Sequence, residues 1–261
     1  MSEIIGFCNQ KGGVGKTTSA INLAASIAAT ERKTLLIDFD PQCNATSGLG
    51  FNKNEVKSNS YEFLLGQSEE PPLQTSLPFL DLLPASPDLV GAEVELVEMT
   101  DREGQLRRSL KPLSGLYDFI FIDSPPSLGL LTLNVLAASH YLIVPVQCEY
   151  YALEGLTDLV KTIDLVKGGI NPALEIAGIL LTMYDGRNNL SHDVEGEIRK
   201  HFSDKVFQVV IPRNIRLSEA PSHGKPILLY DVKSRGAQSY LELAQEFLEK
   251  METKIGIEKV A

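Results

Sequence analysis

The stretch Gly6-Phe7-Cys8-Asn9-Gln10-Lys11-Gly12-Gly13-Val14-Gly15-Lys16-Thr17-Thr18 sits between a short apolar run and a helical pattern. Its end, Gly15-Lys16-Thr17, completes the phosphate-loop pattern of glycine, four residues, then Gly-Lys-Ser/Thr. The position of the opening glycine holds Gln10, and an added lysine, Lys11, stands before Gly12 and Gly13. A strand, a glycine-rich loop and a helix together give the pattern its physics. Glycines let backbone N–H groups curve around phosphate oxygens, and the helix N-terminus adds positive potential. Lys16 is expected to reach the β/γ-phosphates of a nucleotide, and Thr17 to place its hydroxyl on Mg²⁺.

Outward from this loop, continuous apolar runs alternate with helical periodicity. Buried strands are expected at Glu3–Cys8, Thr34–Asp38, Leu80–Pro84, Tyr117–Asp123, Tyr141–Val146, Ile176–Thr182 and Val206–Ile211. Helical spacing of apolar residues covers Thr18–Ala29, Leu153–Val166, Ser191–Phe202 and Ala237–Met251. Such alternation predicts an α/β fold, a doubly wound, mostly parallel sheet of P-loop type with helices on both faces. Asn52–Pro78 reads as a loose connection, no internal repeat is present, and 1–261 is expected to form one domain with a loosely ordered tail at 252–261.

In a parallel sheet, ligands gather at the carboxyl ends of the strands. Three aspartates fall there. Asp123 closes Phe119-Ile120-Phe121-Ile122, and Asp38 and Asp40 follow Leu35-Leu36-Ile37. Magnesium bound to a phosphate loop takes a second oxygen donor of this kind, directly or through water. Each is thus a candidate for the metal or the attacking water, although aspartates also begin turns and cap helices.

These residues resemble the deviant P-loop ATPases of the ParA/MinD superfamily. The resemblance rests on Lys11–Thr18, Asp38-Phe39-Asp40-Pro41-Gln42, Asp123-Ser124-Pro125-Pro126 and Pro212-Arg213-Asn214. It also covers Glu149–Gly155 and Ser218–Ser222, and the later motifs narrow it to the ParA branch, nearest the chromosomal proteins called Soj. The resemblance implies an ATPase that uses ATP and Mg²⁺ and forms a homodimer with the nucleotide sandwiched at its interface. It assigns Lys11 to the partner subunit's phosphates, which explains the extra lysine. Two facing ATP molecules bring together roughly eight negative charges, and a lysine donated in trans offsets that repulsion. The family pattern places Asp40 at the attacking water and Asp38 near the metal, with Asp123 on Mg²⁺ through a bound water. Gly12, Gly13, Val14, Gly15, Lys16, Thr17 and Thr18 would cradle phosphates, and Pro212, Arg213 and Asn214 would surround the adenine.

The net charge of −10 excludes a protein coated in positive charge. Yet the span 199–225 holds six Lys/Arg and two acids, a local surplus suited to phosphate backbones. The resemblance implies non-specific double-stranded DNA as a partner, with Arg187 and Arg216 in contact and Lys200 and Lys225 adding charge. It further implies a ParB-type centromere-binding protein that stimulates hydrolysis, and a cytoplasmic, nucleoid-associated location. The alternative within the superfamily is a MinD-like positioning ATPase on membranes. However, the tail after Met251 lacks the apolar stripe and cationic face of a membrane helix. No apolar run reaches the ~18 residues of a bilayer span. A relative of the nitrogenase iron protein would need interface cysteines, and Cys8, Cys43 and Cys148 do not match that pattern.

Overall fold

The computed structural model describes residues 2–68 and 70–255. Runs of Ile, Leu, Val and Phe with no interleaved polar residues form strands buried on both faces, and five such strands make up the parallel centre of the sheet. They are β1 (Glu3–Phe7), β2 (Thr34–Asp38), β5 (Phe119–Asp123), β6 (Tyr141–Gln147) and β7 (Glu175–Thr182). Short strands β3 (Leu73–Gln74) and β4 (Leu80–Leu83) extend one side. The order is β3-β4-β2-β5-β1-β6-β7, parallel throughout except for β3 against β4. β3 lies inside the stretch expected to be a loose connection; two residues of edge pairing carry too little pattern to be visible in sequence.

Register positions the chemistry. Phe7 pairs with Asp123 across β1/β5, and Asp38 pairs with Asp123 across β2/β5. The chain leaving β1 therefore turns beside two carboxylates. The helix that follows, Lys16–Ala28, is rich in alanine and almost wholly buried, so small side chains let it lie close on the sheet. On the same face the helix Arg235–Ile255 sets Phe247 against Phe119 at 5.6 Å and Phe121 at 5.8 Å. Each fully buried ring contributes about 1.5–3 kcal/mol. That packing anchors the strand whose last residue is Asp123.

Two expectations differ from the structure. Val206–Ile211 runs beside β7 but is not a strand. Phe207 N–H donates to Ile179 O at 3.0 Å and Ile211 N–H to Leu181 O at 2.8 Å, whereas two of the three amides between them, those of Gln208 and Val209, are captured by a side chain. Glu246 accepts from Gln208 N at 2.8 Å and Val209 N at 3.0 Å, and Arg199 donates to the carbonyls of Phe207 and Gln208. Side chains from two helices thus replace the ladder. The C-terminal helix continues to Ile255, four residues into the stretch expected to be loose, and Lys254 pairs with Glu175 while lying over the Tyr141 ring. Residues 256–261 lie outside the described residues.

Candidate active site

The loop between β1 and the helix Lys16–Ala28 turns through Gly13 (φ 77°) and Gly15 (φ 79°), both in the left-handed region. A side chain at either position would be strained, so glycine is needed for the backbone to curl with its N–H groups inward. Three polar side chains fasten the curl. Asn9 donates to Pro145 O at 2.6 Å and accepts from Lys11 N at 2.9 Å. Thr182, at the end of β7, donates to Val14 O at 2.8 Å. Ser124 donates to Phe7 O at 2.7 Å. Asn9 and Ser124 lie within sequence motifs but have no role assigned from sequence, and Thr182 is marked there only as the end of a strand, because a single Asn, Thr or Ser has no pattern of its own.

Lys16 is buried, its ammonium donating to Ser124 O and standing 3.6 Å from Asp123 Oδ1. Asp123 is fully buried, and its nearest partners are the Lys16 ammonium and the Thr17 hydroxyl, neither of which makes a close, well-aligned hydrogen bond to it. Burial raises its carboxyl above the ordinary range, and the Lys16 charge acts in the opposite direction. A carboxylate with two oxygens and only these two loosely placed partners keeps acceptor capacity for a cation or a metal-bound water. The oxygen donors of the Thr17 hydroxyl and the Asp123 carboxylate, beside a phosphate loop, fit Mg²⁺.

Asp38 differs. Its Oδ2 accepts from both the amide and the hydroxyl of Thr46 at 2.7 Å, and Oδ1 accepts from Asp40 N at 3.3 Å. Burial and the neighbouring Asp123 charge push its carboxyl up to about 7. Thr46, which the sequence did not single out, also accepts from Ala85 N at 2.9 Å and so ties β2 to the end of β4. Both oxygens of Asp38, expected near the metal, thus accept hydrogen bonds from the protein itself.

Two adjoining cavities share Gly15, Thr18 and Met183. One, of about 320 Å³, is lined by Lys11–Gly13, Lys16, Thr17 and Asp40. The other, of about 410 Å³, is lined by Pro212, Arg213, Asn214, Ile215 and Tyr240. Asp40 is buried to 4% exposure, and its Oδ1 accepts from Gln42 N. Asn214 Oδ1 is buried without a donor, an acceptor free for a ligand N–H. Loop, aspartates and Pro212–Asn214 thus converge from four separate parts of the sequence. Lys11 lines the first cavity, but its ammonium rests 2.5 Å from Glu149 Oε2, half-exposed and beside the exposed rings of Tyr150 and Tyr151.

The candidate DNA residues are exposed and mostly paired. Arg187 makes a two-point pair with Asp185 at 2.9 Å, which holds the Asp185 carboxyl down to about 2. Arg216 meets Glu219 at 2.9 Å and Asp231 at 3.4 Å. Lys200 lies 3.5 Å from Glu197. Lys225 has no ion pair among the described residues. Cys8, Cys43 and Cys148 are all buried and unpaired, and burial raises each thiol, Cys8 to about 12. No described helix is long and apolar enough to cross a membrane.

Comparison with known proteins agrees with this geometry. The family profile described as "AAA domain" matches residues 2–176. The chain is 55% identical to the chromosome partitioning protein ParA of Myxococcus xanthus, over all of this chain and 93% of that one. It is 53% identical to the sporulation initiation inhibitor protein Soj of Bacillus subtilis, over 94% and 98%. Among solved structures, the cobyrinic acid a,c-diamide synthase of Mycobacterium smegmatis with bound ATP analogue and magnesium superposes with a TM-score of 0.85. That protein is 37% identical, with coverage of 98% and 97%. By fold, loop and identity across its whole length, the chain belongs to the ParA/Soj family of chromosome-partitioning ATPases.

Proposed function

We propose that the chain binds Mg²⁺–ATP in the paired cavities, dimerises around it, holds non-specific DNA as the dimer, and hydrolyses ATP when a ParB-type partner docks. The observation that carries this reading is the buried Lys16–Asp123 pair beneath a loop that turns through two left-handed glycines. Lys16 exchanges Ser124 O for the β/γ-phosphates. Thr17, and Asp123 through a water, would hold Mg²⁺, which would supply charge neutralisation on the phosphates. Asp40, buried at the rim of the phosphate cavity, orients the attacking water. In the second cavity, Asn214 Oδ1 accepts from the adenine amino group, which favours adenine over a base with a carbonyl there.

Dimerisation is supported by the face around the loop. Two exposed tyrosines, Tyr150 and Tyr151, follow Glu149 in the chain, and exposed aromatic rings are of the type enriched at interfaces. Lys11 leaves Glu149 to meet the partner's phosphates; an exposed ion pair of about 0–1 kcal/mol is readily exchanged for a polyanion. The same argument covers Arg187, Arg216 and Lys200, whose present partners are surface carboxylates. Dimerisation doubles the cations facing DNA, and affinity rises steeply with the number of phosphates neutralised. The location expected is the nucleoid.

Phosphate release from Mg²⁺–ATP tests the reading. The wild type should turn over slowly and faster with DNA and partner, and Asp40→Ala should bind ATP but release little phosphate. Full turnover in Asp40→Ala would remove Asp40 from the reaction.

A further inference from the structure

The helix Leu89–Val97 is apolar on two faces. Leu89, Ala92 and Leu96 are buried in the core, the face a surface helix ordinarily needs. Val90, Val94 and Val97 stand away from it, 64%, 72% and 54% exposed. Their spacing of i, i+4 and i+7 makes a stripe, and Glu93, three residues after Val90, completes it. Valine is a poor helix former, so nothing local favours three of them on a solvated face.

Glu93 adds a second observation. Its Oε1 is buried against Gly129 and accepts no hydrogen bond. A Cβ on Gly129 would stand 2.1 Å from that oxygen. The stripe thus holds a half-buried carboxylate that leans on the loop following Asp123.

Charge completes the case. Residues 58–101 contain nine Asp/Glu and no Lys or Arg, so this span carries −9 of the net −10. Asp88, Glu93, Glu95 and Glu98 enter no ion pair among the described residues. Nucleic acid is repelled here. A second copy would set the same carboxylates against each other, since a two-fold interface pairs a patch with itself.

We propose that the stripe Val90–Glu93–Val94–Val97 docks a basic amphipathic helix of a partner protein. Its apolar residues cover the valines, and its flanking Lys/Arg meet Glu93, Glu95 and Glu98. This is helix-against-helix recognition with electrostatic steering. It is independent of the nucleotide reading, since every observation lies outside the ATP cavities.

The probe is a dye-labelled peptide with leucines at i, i+3, i+4 and i+7 and lysine or arginine between them, titrated against the full chain by fluorescence anisotropy. A scrambled peptide of equal composition is the control. Saturable binding that weakens with salt is expected, about tenfold or more weaker for the scrambled peptide and for Val90→Ser/Val94→Ser. Glu93→Gln should weaken binding and flatten the salt slope. Because both valines are exposed, the double variant should melt like the wild type, which keeps the comparison sound. Absence of binding overturns the proposal. So do equal affinity for the scrambled peptide, indifference to the valine substitutions, or sedimentation showing that these substitutions dissociate a dimer that the peptide leaves intact.

Discussion

The carboxyl ends of β1, β2 and β5 and the segment that follows β7 both gather charged residues, but they hold them in opposite ways. At the centre of the sheet Lys16, Asp38, Asp40 and Asp123 are buried, each fixed by a strand end or a glycine turn. After β7, Arg187, Lys200, Arg216 and Lys225 stand exposed. Three of these four are paired with nearby carboxylates on the surface. A buried charge has few possible partners, and its environment commits it to one task. An exposed ion pair is worth about 0–1 kcal/mol and gives up its partner to any stronger anion. On the proposed function, the centre serves one ligand and the periphery a ligand without fixed contacts.

Substitutions should reveal that asymmetry. Lys16→Ala removes the cation beneath the loop and leaves Asp123 uncompensated, so affinity for Mg²⁺–ATP should fall by about a hundredfold or more. Titration with a fluorescent ATP analogue measures it; normal affinity would detach Lys16 from the phosphates. Charge reversal at Arg187 and Arg216 should leave that affinity untouched while DNA binding is lost. The salt dependence of any residual binding should be shallower, and the loss equal on unrelated sequences. DNA binding across a salt series, with chromatography as the dimer control, decides it. Wild-type DNA affinity in dimeric variants would place the DNA surface elsewhere.

A smaller effect is expected at Thr46. Valine there deletes the hydroxyl bond to Asp38 and strands the Ala85 N–H, a loss of about 1–3 kcal/mol in stability. The pH dependence follows from the raised Asp38 carboxyl. Native Asp38 keeps its proton to about 7, whereas the unfolded residue loses it near the ordinary carboxylate value. The native state therefore binds more protons in that window, and the unliganded protein loses stability as pH rises through it. Thr46→Val, lacking a bond that favours the charged form, should extend the loss to higher pH. Thermal melting across pH without Mg²⁺ measures both, and identical profiles would show that Thr46 is not what fixes Asp38.

The same contrast governs what was legible in sequence. β1, β2, β5, β6 and β7 declared themselves because strands buried on both faces admit only apolar residues. Gly15-Lys16-Thr17 declared itself because phosphate geometry leaves little choice of residue. Val206–Ile211 carried the same apolar signal yet is no strand, since Glu246 takes its amides from 37 and 38 residues away, beyond any local pattern. Thr46, Asn9 and Thr182 act through single hydrogen bonds that only the folded chain reveals. The ion pairs of Arg187 and Arg216 were equally hidden, because surface charge counts do not say which neighbour a side chain meets.

Lys11 belongs to neither region wholly: it sits at the loop of the centre but is exposed like the periphery. The central claim is that it acts across a dimer rather than on its own nucleotide. The most direct measurement is molar mass by light scattering with Mg²⁺–ATP, in the hydrolysis-impaired Asp40→Ala background, with and without Lys11→Ala. The account predicts a persistent dimer for Asp40→Ala, and a monomer that still binds ATP once Lys11 is also replaced. A dimer of undiminished stability in the double variant would contradict it.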